Sequence, residues 1–261
     1  MEPRTRNLSS VFSRGLCLVV LCGGIWTTSY GNGSVVIREN VAADRRHELV
    51  SKLRAITGQT NLRFDEAGVL QMGQPHLNGS KQARALLAQA VSGNKVVVIE
   101  DASSSSDVAF CRVVPGRWLS GGATRSPAFV VLIDFADFKQ VSGDSQARAS
   151  FDVGWGFLHE LDHVVAESTD AADPNALGDC ESHINEMRSE LGLPLRVDYF
   201  FTEASVRTDP NFNSKLVRLP FESYDTQTSR KHRYWIVWDS NSVGGLVNSR
   251  QTAVTRSALQ H

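Results

Sequence analysis

The chain has 261 residues, 41% of them hydrophobic and 21% charged, with 8 prolines and 20 glycines. That length and composition suit one globular domain with a small appendage, and they exclude collagen-like, disulfide-dense and wholly disordered classes. The 27 basic and 28 acidic side chains nearly cancel, so the molecule as a whole exerts no electrostatic pull toward nucleic acid or an anionic membrane.

Residues 1–33 read as a cleaved signal peptide. Arg4, Arg6 and Arg14 form a basic start, and Leu16 to Trp26 is an apolar run of 11 residues. A membrane-spanning helix needs about 20 apolar residues, so this run suits a signal core and not a permanent anchor. The small residues of Thr27-Thr28-Ser29 or Gly31-Asn32-Gly33 offer cleavage sites. Bulky Leu21 before Cys22 argues against lipid attachment. The expected product is secreted or held in the cell envelope, with no stable membrane insertion. Cleavage removes Cys17 and Cys22 and leaves Cys111 and Cys180, either as one disulfide or as two buried thiols.

The mature region, 34–261, reads as one α+β domain whose last 20 or so residues are loose. Val35–Arg38 is a β-branched run and predicts a strand. Leu49, Val50, Leu53 and Ile56 recur at helical spacing within Ala43–Ile56, and Gly58 stands at the C-cap position. Asn61–Phe64 and Val69–Met72 flank Asp65-Glu66-Ala67-Gly68, a β-hairpin pattern. Ser80 caps a predicted helix running to Val91. Lys95–Glu100 and Phe129–Asp134 are apolar strands, and Pro115 to Pro127 between them reads as surface loops. Phe157–Glu167 and Asp179–Leu191 are predicted helices, the second stopped by Gly192 and Pro194. Tyr234–Trp238 is an aromatic strand.

One motif carries chemistry. His159-Glu160-Leu161-Asp162-His163 is an HExxH sequence. Residues four apart on a helix emerge from the same face, so the two imidazoles can share one zinc ion. Glu160 sits about 100° round the helix, where it can act as general base toward water. A catalytic zinc takes three protein ligands and leaves a position for water. The next predicted helix opens with Cys180, Glu181, His183 and Asn185. Glu181 and Asn185 share one face there, so the first can bind metal and the second can hydrogen-bond a ligating imidazole.

This pattern resembles the zincin metallopeptidases of the glutamate-ligand type, which carry HExxH on one helix and Glu-x-x-x-Asp/Asn on the next. The resemblance implies a zincin-like α+β fold with a mixed sheet, Zn²⁺ held by His159, His163 and Glu181, Glu160 as base and Asn185 as orienting residue. The layout is also similar to the zinc endopeptidases of bacterial secreted effectors. Asp162 departs from the pattern, because zinc peptidases usually carry an uncharged residue there. HELDH is also similar to the third motif of peptide deformylases, but Cys111 lacks that family's Glu-Gly-Cys-Leu-Ser setting.

The expectation is thus an exported zinc-dependent metallopeptidase acting on peptide or protein substrates. Two alternatives remain open: a non-catalytic exported binding protein, and a structural zinc closed by His159, His163, Cys180 and His183. Tyr199, Tyr224, His232 and Tyr234 are the available donors for a developing oxyanion. Phe129–Asp134 is either the cleft-edge strand that pairs with a peptide or a buried central strand. Asp170, Asp173, Asn175 and Asp179 form a polar loop without calcium-loop spacing. Trp155 reads as a core residue.

Overall fold

A computed structural model describes residues 34–74, 78–103, 105–119, 125–204, 215–225 and 227–244. The proposed signal peptide and most of the predicted loose tail lie outside the described residues. The elements in chain order are β1 (Ser34–Ile37), α1 (Ala43–Thr57), β2 (Arg63–Phe64), β3 (Leu70–Gln71), α2 (Lys81–Ser92), β4 (Val96–Asp101), β5 (Cys111–Leu119), β6 (Arg125–Ile133), α3 (Phe135–Gln140), β7 (Ser142–Gly143), α4 (Ser145–Ala149), α5 (Val153–Val165), α6 (Gly178–Glu190), β8 (Leu195–Arg196), β9 (Thr202–Glu203), β10 (Leu216–Asp225) and β11 (Arg230–Asp239). The class is α+β with mixed sheets. Among the described residues no helix is long and apolar enough to cross a membrane.

The principal sheet has the order β1-β4-β6-β5; its first three strands are parallel and β5 is antiparallel to β6. β4 is buried on both faces: Val97 and Ile99 enter the main core, while Val96 and Val98 pack with Ala128. A continuous apolar run is what a strand buried on both faces requires. β6 is paired on both sides, so Phe129–Ile133 lies in a central strand, the second of the two expected readings, and β5 stands at an edge of the sheet. The predicted loop from Pro115 to Pro127 is corrected, since β5 and β6 extend into it from either end. Pro115 is tolerated because it lies on the edge strand. Val113 turns its N–H outward to Glu160, and strand alternation points the missing N–H of Pro115 to that same unpaired side.

α5 lies beneath this sheet against α1, α2, α6 and β5. Its first turn is capped by Asp152, whose carboxylate accepts from Gly154 N (2.9 Å) and Trp155 N (3.3 Å). Phe157, Leu158 and Leu161 are fully buried, each worth about 1.5–3 kcal/mol relative to exposure. Absence of a Cβ at Gly154 and Gly156 lets Lys52 and Ile56 of α1, and Phe138 and Cys111, approach the helix. A second sheet, β7-β11-β10-β8 with β9 also on β10, encloses a smaller core of Val217, Leu219, Phe221, Ile236 and Trp238. The C-terminal third thus contributes a ten-residue strand, β10, that its mixed polar sequence did not announce. Cys111 and Cys180 are both free thiols, which excludes the disulfide alternative in this structure.

Candidate metal centre

His159 and His163 emerge one turn apart from α5 with ring centroids 4.9 Å apart. Their Nε2 atoms converge on one carboxylate oxygen, Asp170 Oδ1, at 3.1 Å and 3.2 Å. The thiol of Cys180 completes the group. One ligand atom from each of His159, His163, Asp170 and Cys180 lies within 4.8 Å of all the others. The donor set can hold a metal ion.

The far side of each imidazole is also assigned. Nδ1 of His159 faces Glu181 Oε2 at 3.3 Å. Nδ1 of His163 lies 2.9 Å from the Ser168 carbonyl oxygen. An acceptor at Nδ1 holds a proton there, so that Nε2 presents a lone pair to a metal once it gives up the proton that it shares with Asp170, the arrangement ligating histidines usually have.

Glu181, expected as the third metal donor, is therefore outside the converging group. Its two oxygens are engaged by Arg188 Nη1 and by Arg196 Nη1 (2.9 Å), and it is 1% exposed. The physical reason is charge. Arg188 is buried on the same helix, and a buried guanidinium holds its carboxylate partner firmly. Asn185 is likewise not an imidazole partner. It exchanges hydrogen bonds with the backbone of Arg196 and accepts from Arg188, so it anchors the segment that carries Arg196. His183 is no donor to the cluster either, for its Nδ1 meets Asp162 Oδ2 at 2.9 Å.

Asp162 also explains itself. It accepts from the Ser168 hydroxyl (2.6 Å) and so fixes the turn whose next residues place the Ser168 carbonyl and the Asp170 carboxylate. The same turn is stitched to α6 by a bridge between Asp170 and Gly178 and by Cys180 N–H donating to Thr169 O (3.2 Å). Gly178 has φ +78°, and a Cβ there would stand 2.5 Å from Ala171 N. Glycine is the residue that satisfies both demands.

Electrostatics follow from two imidazoles sharing one carboxylate. The hydrogen bond to Asp170 heads the causes that raise His163, to about 11. Burial disfavours the charged form of His159, yet contacts with Asp170, Cys180 and Glu181 raise it well above its ordinary value. Burial would raise the carboxyl of Asp170, but the two histidines and the Tyr199 hydroxyl hold it far below the carboxylate range. Burial also opposes ionisation of Glu181, and Arg196 and Arg188 overcome it. The centre of the cluster favours positive charge, which a divalent cation supplies.

Glu160 leaves the helix about 100° round from His159. Its Oε2 accepts from Val113 N of β5 at 2.8 Å, and burial raises its carboxyl. It opens with His159 onto a cavity of about 200 Å³. Of the four expected oxyanion donors, Tyr199 is the one at this site. Its hydroxyl bonds Asp170, and burial raises the phenol. Tyr224 is exposed, Tyr234 meets Ser223, and His232 is exposed on β11. Trp155 is both buried core and cavity wall.

No protein family, curated protein or solved structure matches the chain.

Asp170 escaped the sequence reading because it stands in a polar loop, where no periodicity marks a side chain that turns inward. The signal within reach was its position just past the motif helix, two residues after a serine that Asp162 can hold.

Proposed function

We propose that the chain is an exported zinc-dependent hydrolase of peptide bonds with a zincin-like site. His159, His163 and Asp170 would hold the ion, and Glu160 would act as general base. Two imidazoles, a carboxylate and a thiol suit zinc better than calcium or magnesium, which take all-oxygen sites. Tetrahedral zinc ligands stand roughly 3.3–3.8 Å apart, a spacing that the 3.1 Å and 3.2 Å contacts and the 4.8 Å outer limit bracket.

The observation that carries the reading is Glu160. A carboxylate that is buried, borders a cavity and neighbours a converging ligand set has a use in moving a proton. Zinc, when bound, supplies an acidic water and polarises a substrate carbonyl. Glu160 takes up a proton from the attacking water and returns it to the departing amine. The Val113 amide holds its carboxylate toward the cavity. Tyr199 holds Asp170, and Glu181 and the Ser168 carbonyl hold the two imidazoles in the ligating tautomer.

Cys180 favours a second reading: a closed structural site of His159, His163, Asp170 and Cys180, with no position for water. Substitution separates the two. On the catalytic reading Glu160→Gln keeps about one zinc per chain and loses about 10²–10⁴-fold in peptide turnover, while Cys180→Ala keeps both zinc and turnover. On the structural reading Cys180→Ala loses zinc and Glu160→Gln changes nothing. Zinc content by mass spectrometry and cleavage of a quenched-fluorescent peptide library make the comparison.

A further inference from the structure

The cavity beside Glu160 is bordered by two arginines, and the donors of Arg188 are not all engaged. Arg188 is 2% exposed and lines the cavity. Its Nε donates to Ser150 O at 3.0 Å, and its Nη1 donates to Glu181 and to Asn185 Oδ1. Among the described residues Nη2 has no acceptor. The guanidinium lies instead over the rings of Trp155 and Phe221, 5.2 Å and 5.5 Å from their centroids. Nη2 is also within reach. The unpartnered side-chain nitrogens sealed from any contact are, among the described residues, Arg46 Nε, Arg218 Nε and Trp238 Nε1. Arg188 Nη2 is not one of them, so it keeps accessible surface, and the cavity is a space that Arg188 borders.

A donor of this kind in a buried side chain calls for an acceptor, and an anionic acceptor makes the stronger bond to a guanidinium. Charge points the same way. Glu181 is the carboxylate partner of both Arg188 and Arg196, so that trio carries a surplus positive charge. Glu160, the other carboxylate of the cavity, is bonded to the Val113 amide of β5. It cancels the surplus formally, and a divalent ion at the neighbouring centre outweighs Asp170 and leaves the whole site positive. The rest of the wall is largely aromatic, with Phe110, Phe138, Phe151 and Trp238. At about 200 Å³ the cavity is smaller than the roughly 300–1,000 Å³ of small-molecule sites, so it holds the end of a residue.

We propose that this cavity is a carboxylate subsite of the hydrolase, in which Arg188 Nη2–H donates to a carboxylate oxygen of the substrate. The assignment rests on the hydrolase reading and names the substrate class, peptides that carry a negative charge beside the cleaved bond. That carboxylate comes from the chain terminus or from an acidic side chain, and the chemistry of recognition is the same for both. Arg188 is a binding residue here, in addition to its hold on Glu181.

The test compares acids with their amides. One pair is acetyl-Ala-Ala-Leu with a free carboxylate or a carboxamide end; the other is acetyl-Ala-Glu-Ala-amide and its Gln counterpart. Calorimetry on the full-length protein freed of metal measures binding, so that no carboxylate can sit on zinc and no peptide is consumed. The zinc-loaded protein is read by kcat/KM on the same pairs. At least one acid is expected to bind about 10–100-fold tighter than its amide, the strength of a hydrogen bond between charged groups, and the pair that shows it identifies the source. Arg188→Lys keeps a cation for Glu181 and removes Nη2; it should bring acid and amide together. Ala109→Phe, which fills the cavity from its wall and leaves Arg188 in place, should do the same with zinc content unchanged. Equal binding of acid and amide in both pairs would overturn the assignment. So would an acid preference that survives Arg188→Lys or, where that variant does not fold, Ala109→Phe. Zinc binding and turnover without an acid preference would sink this inference alone. An acid preference in a protein that binds no zinc would sink the hydrolase reading and leave the carboxylate subsite standing.

Discussion

At the scale of the residue, the two carboxylates nearest the imidazoles have different work, and each predicts a different failure. Asp170 faces Nε2 of both histidines and is 45% exposed at its side chain. Asp170→Ala should abolish stoichiometric zinc and destabilise the metal-free fold by less than the loss of a buried carboxylate does, because the two imidazoles that lose their shared partner can give up their protons. Glu181 backs one imidazole and neutralises two guanidiniums from a fully buried position. Glu181→Ala should lower zinc affinity by about 10–100-fold, the usual cost of losing a ligand's orienting partner. It should also destabilise the metal-free chain by about 3–5 kcal/mol, because Arg188 is left charged and buried. Urea unfolding and zinc titration of the two variants separate these effects. Were Glu181→Ala to lose all zinc at unchanged stability and Asp170→Ala to keep it, the two roles would have to be exchanged.

At the scale of the element, the centre depends on one clamp. The turn after α5 is held by Asp162 through Ser168, and it is tied to the start of α6 at Gly178 and Cys180. Gly178→Ala forces a side chain into a positive φ and against backbone. We expect a loss of about 1–3 kcal/mol, with zinc affinity falling alongside, measurable by thermal unfolding with and without zinc; an unchanged variant would show the clamp to be dispensable. The same clamp explains what could be read in the sequence. HExxH is legible because helix geometry alone relates its members. Helices α1 and α2 are legible through apolar spacing and through their ends at Gly58 and Ser80. The Glu181-x-x-x-Asn185 pattern is also helical geometry, and it does place both residues on the buried face of α6. What helical spacing cannot reveal is the chemistry opposite that face, where Arg188 and Arg196 claim Glu181. Asp170 depends on a loop conformation set by side-chain bonds to Asp162, and β5 is left at the edge because its partner β6 gives its other side to β4. These are tertiary facts, without a local signature.

At the scale of the whole molecule, the principal sheet supplies an edge strand, α5 the imidazoles and Glu160, the following turn the carboxylate, and the second sheet Arg196, Leu219 and Trp238 of the cavity wall. A metal held by His159, His163 and Asp170 fastens that turn to α5. Chelation with EDTA should therefore lower the midpoint of thermal unfolding, and added zinc should raise it in a concentration-dependent way, as mass action requires of a ligand that binds the folded state alone. The most direct test of the central claim is zinc content by mass spectrometry on the purified protein, beside Asp170→Ala and Glu160→Gln. About one zinc per chain in the unsubstituted protein and in Glu160→Gln, and close to none in Asp170→Ala, is the predicted result. Absence of zinc from all three after it is offered under mild conditions, or full retention in Asp170→Ala, would contradict the account.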